Sequence, residues 1–180
     1  MRIVQSPPAL AAVELADVQA HARVFDADEA DALADMALTA TLELEHQANI
    51  ALLTRTVEVR VKGWPVSGSL PLPIGPVQAG AAAVVTVDGA AFDGFDLLPG
   101  RIGELRLTGE LTDALEVAEI VASYPAGFGA SPADVPADLR HAVLDQVAHL
   151  YDARGAVDAR RAMAAPAFLR IAAKHRGAKV

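Results

Sequence analysis

Glu43-Leu44-Glu45-His46 places a carboxylate and an imidazole three residues apart. Helix bundles that hold a di-iron or di-manganese centre use this Glu-x-x-His spacing, but they need a second such pair and further carboxylates. The nearest partner, Asp138-Leu139-Arg140-His141, has the shorter acid and sets Arg140 beside the histidine. A surface acid–histidine pair accounts for Glu43 and His46 without any metal. Asp145 and His149 lie one helical turn apart, where a carboxylate can orient an imidazole; a local hydrogen bond on a helix surface is the plainer reading. Ser67-Gly68-Ser69 lacks the Gly-x-Ser-x-Gly setting of an activated serine, and no glycine-rich loop leads into a Lys-Ser/Thr pair that would cradle phosphate. With no cysteine there is no thiolate nucleophile, no disulfide framework and no Cys-based zinc site. The sequence therefore predicts no catalytic, cofactor-binding or metal-ligating residue, and an enzyme is not expected.

The elements that would carry any site change character twice along the chain. Ser6-Pro7-Pro8 reads as an extended lead-in, and Glu14 to Val24 as a short helix with Leu15, Val18 and Ala22 on one side. Asp26 and Asp28 offer an N-cap for a second helix from Glu29 to Ile50, with Leu33, Ala37, Ala40, Thr41, Leu44 and Ala48 as its buried stripe. From Thr54 the period becomes two: Val57, Val59 and Val61 alternate with Glu58, Arg60 and Lys62, the pattern of a half-buried strand. Further strands are predicted at 69–74, confined to an edge by Pro71 and Pro73, then at 82–87, 92–97, 103–107 and 115–124. Asp88-Gly89 is a hairpin signal between the third and fourth of these six. Short strands with regular turns suggest a small antiparallel sandwich or barrel. Trp64, between Gly63 and Pro65, reads either as a cap on this β core or as a contact aromatic at a partner surface.

Composition narrows the class. A chain of 180 residues makes one domain or two small ones. Hydrophobic residues reach 53% but aromatics only 4%, so Leu, Val and Ala must build the core. No apolar run approaches the roughly 20 residues of a membrane span, and Met1-Arg2-Ile3-Val4 lacks the apolar stretch of a signal peptide; a cytoplasmic site of synthesis is expected. Charge is uneven. Residues 151–180 carry seven basic side chains against two acidic ones, a net +5, which leaves −13 on the 150 residues before them. A basic tail on an acidic body either meets something acidic or is a solvated end.

A strand ending at Tyr124 hands over through Pro125-Ala126-Gly127-Phe128-Gly129 to a helix opened by Val135-Pro136. Gly127 and Gly129 permit backbone turns that other residues avoid, and Pro136 suits a helix start. Val135, Leu139, Ala142, Val143, Val147, Leu150 and Tyr151 then fall on one helical face. Arg154-Gly155 marks the helix end, Asp158 to Met163 opens another turn, and Pro166 to Lys174 reads as a final amphipathic helix with Phe168, Leu169 and Ala172 apolar. The structural elbow is thus Tyr124, Gly127, Gly129 and Pro136. This passage, Tyr124-x-Ala126-Gly127-Phe128-Gly129, Val135-Pro136-x-x-Leu139-Arg140-x-Ala142-Val143-Leu144 and Val147-Ala148-x-x-Tyr151-Asp152-x-Arg154, resembles the head–tail connector, or adaptor, proteins of tailed phages and phage-like gene transfer agents. Pro7-Pro8-Ala9, Leu15 to His21 and Arg23-Val24 resemble the opening of the same family.

The resemblance implies an α+β fold in which N- and C-terminal helices form a bundle carrying an inserted antiparallel β domain, with residues 1–53, 54–124 and 125–180 as the three stretches. It implies a structural ring subunit, dodecameric in that family, in the neck of a virion or virion-like particle assembled in the bacterial cytoplasm. The partners implied are other copies of the chain, a portal protein, a downstream stopper or neck protein, and DNA passing through the lumen without specific binding. An acidic lumen would repel DNA phosphates. The basic tail is the expected portal-docking element: Arg160, Arg161, Phe168, Leu169, Arg170, Lys174, Arg176 and Lys179, mobile until assembly and dispensable for folding if cut after Ala159. One rival is a small enzyme or ligand-binding protein with a pocket in the β module. The other is a nucleic-acid binder using the tail; with Phe168 as the tail's aromatic, base stacking has little to work with.

Overall fold

The computed structural model describes residues 1–5, 7–154 and 164–176. The fold is α+β, and the chain divides into two compact units. The first, Met1–Ser6 with Thr54–Gly127, is built on strands; the second, Pro7–Leu53 with Phe128–Val180, is helical.

The β unit contains two antiparallel sheets. One has five strands in the order β1 (Arg2–Gln5), β2 (Arg55–Lys62), β8 (Glu119–Ala126), β4 (Val84–Val87) and β5 (Ala90–Ala91). The other has β3 (Ser69–Pro71), β7 (Glu104–Leu107) and β6 (Phe95–Leu98). β8 is central because it alternates cleanly: Ile120, Ala122, Tyr124 and Ala126 are buried while the residues between them are not. It pairs with β2 over eight residues, from Arg55 opposite Ala126 to Lys62 opposite Glu119, so Val57 and Val59 reach the same core. Pro71 ends β3, which lies at a sheet edge where a missing N–H is tolerated. Trp64 is only 2% exposed and packs at 5.9 Å from the Phe92 ring; it belongs to the β core, not to an outer surface.

Arg2–Gln5, for which no element was predicted, is a strand and pairs with β2; Ile3 and Val4 are both exposed, so no alternation announced it. Two local expectations are corrected. The hairpin after β4 closes through Asp88 and Gly89, both at positive φ (49° and 82°), directly onto Ala90–Ala91. That register leaves Phe95–Leu98 to pair with β7 in the other sheet. Finally, Leu115 starts no strand. Thr112 Oγ1 accepts from the Leu115 N–H, capping a short helix α3, Asp113–Val117, and β8 begins only at Glu119.

The helical unit packs α1 (Leu15–Ala22), α2 (Ala30–Ala48), α4 (Ala137–Asp152) and α5 (Pro166–His175). α4 touches each of the other three. The whole α2 stripe, Leu33, Ala37, Ala40, Thr41, Leu44 and Ala48, is buried, against Leu139, Ala142, Val143 and Val147 of α4. Ala37, Ala40 and Ala48 on α2 and Ala142 on α4 keep part of this contact small. Asp26 caps the 3-10 turn Ala27–Glu29 that leads into α2. At the far end of α4, the Arg154 guanidinium donates to Glu29 Oε2 at 2.6 Å and lies 3.8 Å from the Tyr151 ring centre, joining that end to the start of α2. Gly155 and the turn expected at 158–163 lie outside the described residues.

Candidate functional site

The predicted elbow is a set of separate local constraints. In the β unit the Tyr124 side chain is 1% exposed; its hydroxyl donates to the Ile74 carbonyl at 3.1 Å and accepts from the Ile74 N–H at 3.3 Å. Burial pushes its phenol up to about 12. Gly127 ends this unit with φ 141°, a region essentially confined to glycine. Its N–H donates to the Pro76 carbonyl at 2.9 Å, and its carbonyl accepts from Gln78 Nε2 at 2.9 Å. In the helical unit, Phe128 N–H donates to the Leu52 carbonyl, and Gly129 bridges to Leu53. A Cβ on Gly129 would collide with the Asp134 side chain. That side chain is fixed by a capping box: Asp134 Oδ2 accepts from Ser131 N–H, and Ser131 Oγ accepts from Ala133 N–H. Pro136 stands just outside α4, as its N-cap, rather than inside its first turn.

The C-terminal helix is where the expected docking residues divide. Phe168 is 1% exposed and lies in the helical core with Ile171 and Ala172. This corrects the reading of Phe168 as an outward anchor; Pro166–His175 is a helix packed on α2 and α4. The start of α5 is held by Gln146, whose side chain is 2% exposed. Its Oε1 accepts from Ala165 N–H at 2.8 Å, and its Nε2 donates to Glu43 Oε2 at 2.8 Å. Asp138 in the first turn of α4 receives both Lys174 Nζ and His175 Nε2 at 2.9 Å. These hydrogen bonds, that of His175 foremost, hold the Asp138 carboxyl down at about 2. Pro166, Leu169, Arg170, Ala173, Lys174 and Arg176 are exposed, so the outward side of α5 is basic with Leu169 among the charges. Arg160, Arg161 and Lys179 lie outside the described residues.

The pairs weighed for chemistry are reassigned. Glu43 is bonded to Gln146, and Asp138 to the end of α5, so no Glu-x-x-His pair faces another. Asp145 does not orient His149. It accepts from or bonds to His21 Nε2 at 3.1 Å and lies 3.6 Å from His141 Nε2. Sequence reasoning missed this meeting because His21 is 124 residues away on α1.

No protein-family model matches the chain, and no curated protein does. Solved structures do. The chain superposes on one from the neck of an empty gene transfer agent particle, computed with C6 symmetry, at a TM-score of 0.80 and 24% identity. It superposes on one from a native gene transfer agent virion at 0.77, and on one from the native neck computed with C12 symmetry at 0.76, each again at 24% identity. Each alignment covers 100% of this chain and 97% of the other. The chain thus has, from end to end, the fold of a chain found in the necks of gene transfer agent particles.

Proposed function

We propose that this protein is a structural subunit of the neck of a gene transfer agent or tailed-phage particle, an adaptor that forms a ring between portal and tail and encloses a passage for DNA. The observation that carries the reading is the fold match over the whole chain, β unit and helical unit together, with chains of solved necks. Identical subunits joined head to tail close into a ring when the rotation per subunit permits, and twelve is the number proposed. Exposed apolar side chains on both units, among them Phe25 at 73%, Val66 at 85%, Val84 at 66% and Val117 at 68%, suit a protein that buries more surface on assembly. The acidic excess before residue 151 suits a lumen to which DNA does not adhere. A portal above and a stopper below complete the proposed partners.

Within this reading the portal contact is the exposed side of α5, Leu169, Arg170, Lys174 and Arg176, with Arg160, Arg161 and Lys179 of the flanking sequence as further proposed docking residues. Phe168 supports it from inside by holding the helix in place. A non-enzymatic role follows from the same reading. Cryo-electron microscopy of particles from the host that encodes the chain tests it: density for this fold between portal and tail is expected. Particles whose neck lacks the chain would overturn the proposal.

A further inference from the structure

We propose that His21, His141 and Asp145 form a binding site for one divalent d-block cation, zinc fitting best, that fastens α1 to α4. The three ligand atoms lie within 4.8 Å of one another, and among the described residues this is the group of His, Asp and Glu side chains so placed. His141 and Asp145 are four residues apart on α4 and therefore share a face. His21 comes from the last turn of α1. All three ligands stand on helices packed together, which holds them closer to a productive geometry than loops would.

The distances fit a small ion. A tetrahedral zinc with ligands at about 2.0–2.1 Å keeps neighbouring donors roughly 3.3 Å apart. His21 Nε2 lies 3.1 Å from Asp145 Oδ1 and His141 Nε2 3.6 Å from Asp145 Oδ2, so each imidazole faces its own carboxylate oxygen, and with one oxygen taken as the ligand all three donors stay within 4.8 Å. The two imidazoles meet edge-on, at 82° and 5.8 Å, and so do not stack. Two nitrogens and one carboxylate suit zinc, cobalt, nickel or copper, whereas calcium and magnesium prefer all-oxygen sets. Side-chain exposures of 31% for His21, 55% for His141 and 26% for Asp145 leave an entry path and a fourth position for water. His46, His149 and His175 are not members of the group.

The site stands apart from the neck reading, and its test involves no particle. Full-length protein stripped with EDTA is titrated with zinc sulfate by calorimetry and with cobalt(II) by visible absorption. One ion per chain, a higher melting temperature with zinc, and an intense tetrahedral cobalt spectrum are expected. Binding should weaken in acid, because ligands must be deprotonated to bind a metal. His21→Ala and His141→Ala should each lower the affinity by about tenfold or more, the loss that even supporting residues cause at metal sites, while exposed His46→Ala leaves it unchanged. Nickel added to the unaltered protein should broaden the imidazole proton resonances of His21 and His141 and spare those of His46. Absence of binding, binding that survives both alanine variants, or broadening of other histidines instead would overturn the site and leave a hydrogen-bonded clasp.

Discussion

His175 Nε2 stands 2.9 Å from Asp138 Oδ2, so the last turn of the last helix is tied to the first turn of α4. Lys174 reaches the same oxygen from the adjacent position. The chain's acid–base contrast is therefore used first within the molecule, to close the helical unit.

Acid should loosen this tie. The Asp138 carboxyl sits at about 2 in the folded chain, below the ordinary 3.8. Its contribution is complete above the ordinary value and is lost as pH falls from about 4 toward 2. With the carboxylate partly exposed, the contribution is at most about 1 kcal/mol. Denaturant melts of the natural chain and of Asp138→Asn at pH 5 and pH 2.5 check it: the gap between them should narrow at the lower pH, and an unchanged gap would show the tie contributes nothing.

Removing Phe168 should cost about 3–5 kcal/mol, the usual loss for truncating a buried aromatic. Truncation after Ala159, which also removes Ile171 and Ala172, should leave a helical unit that melts far earlier or fails to fold. Leu169→Ala, on an exposed position, should stay within about 0.5 kcal/mol. Thermal melts followed by circular dichroism separate the three.

Gly127→Val should destabilise by about 1–3 kcal/mol, because valine at φ 141° is strained whatever its neighbours. Gly129→Ala should also lower the melting temperature, for a different reason: Asp134 must move, and its capping box with Ser131 opens. A melting temperature unaltered by Gly127→Val would mean the backbone there takes an ordinary conformation in solution.

Tyr124→Phe leaves the Ile74 N–H and carbonyl without their partner in a dry setting, at a cost of about 1–3 kcal/mol. In a spectrophotometric titration of the native chain, which has two tyrosines, the Tyr124 phenol should ionise only near pH 12. Complete ionisation of both near pH 10 with the fold intact would contradict its burial.

The long periodic stretches were legible in the sequence. The stripe of α2 and the face of α4 repeat at three and four residues over several turns, and burial follows them, except that Leu150 and Tyr151 are only half-buried and Glu45 and Gln146 are buried as well. β2 was legible as alternation, β8 as a strand run whose start was set too early, and Asp88-Gly89 as a hairpin. Short elements were not. β1 has exposed apolar residues on both faces, and α3 declares itself only through the Thr112 cap. Phe168 and Leu169 adjoin, so the eye pairs them, yet helical geometry sends Phe168 inward with Ile171 and Ala172 and Leu169 outward. The His21–Asp145–His141 group was invisible for another reason: periodicity reports faces of one helix, not which faces meet.

The order in which the two units draw on the chain bears on synthesis. Every residue of the β unit has been made once Gly127 leaves the ribosome, including β1, which was made first and waits for β2. The helical unit has by then only α1 and α2, and the stripe from Leu33 to Ala48 has no α4 to cover it. A nascent chain therefore carries a sticky helix through the whole interval in which its middle folds, and a pause after Gly127 prolongs the time in which chaperones must shield it.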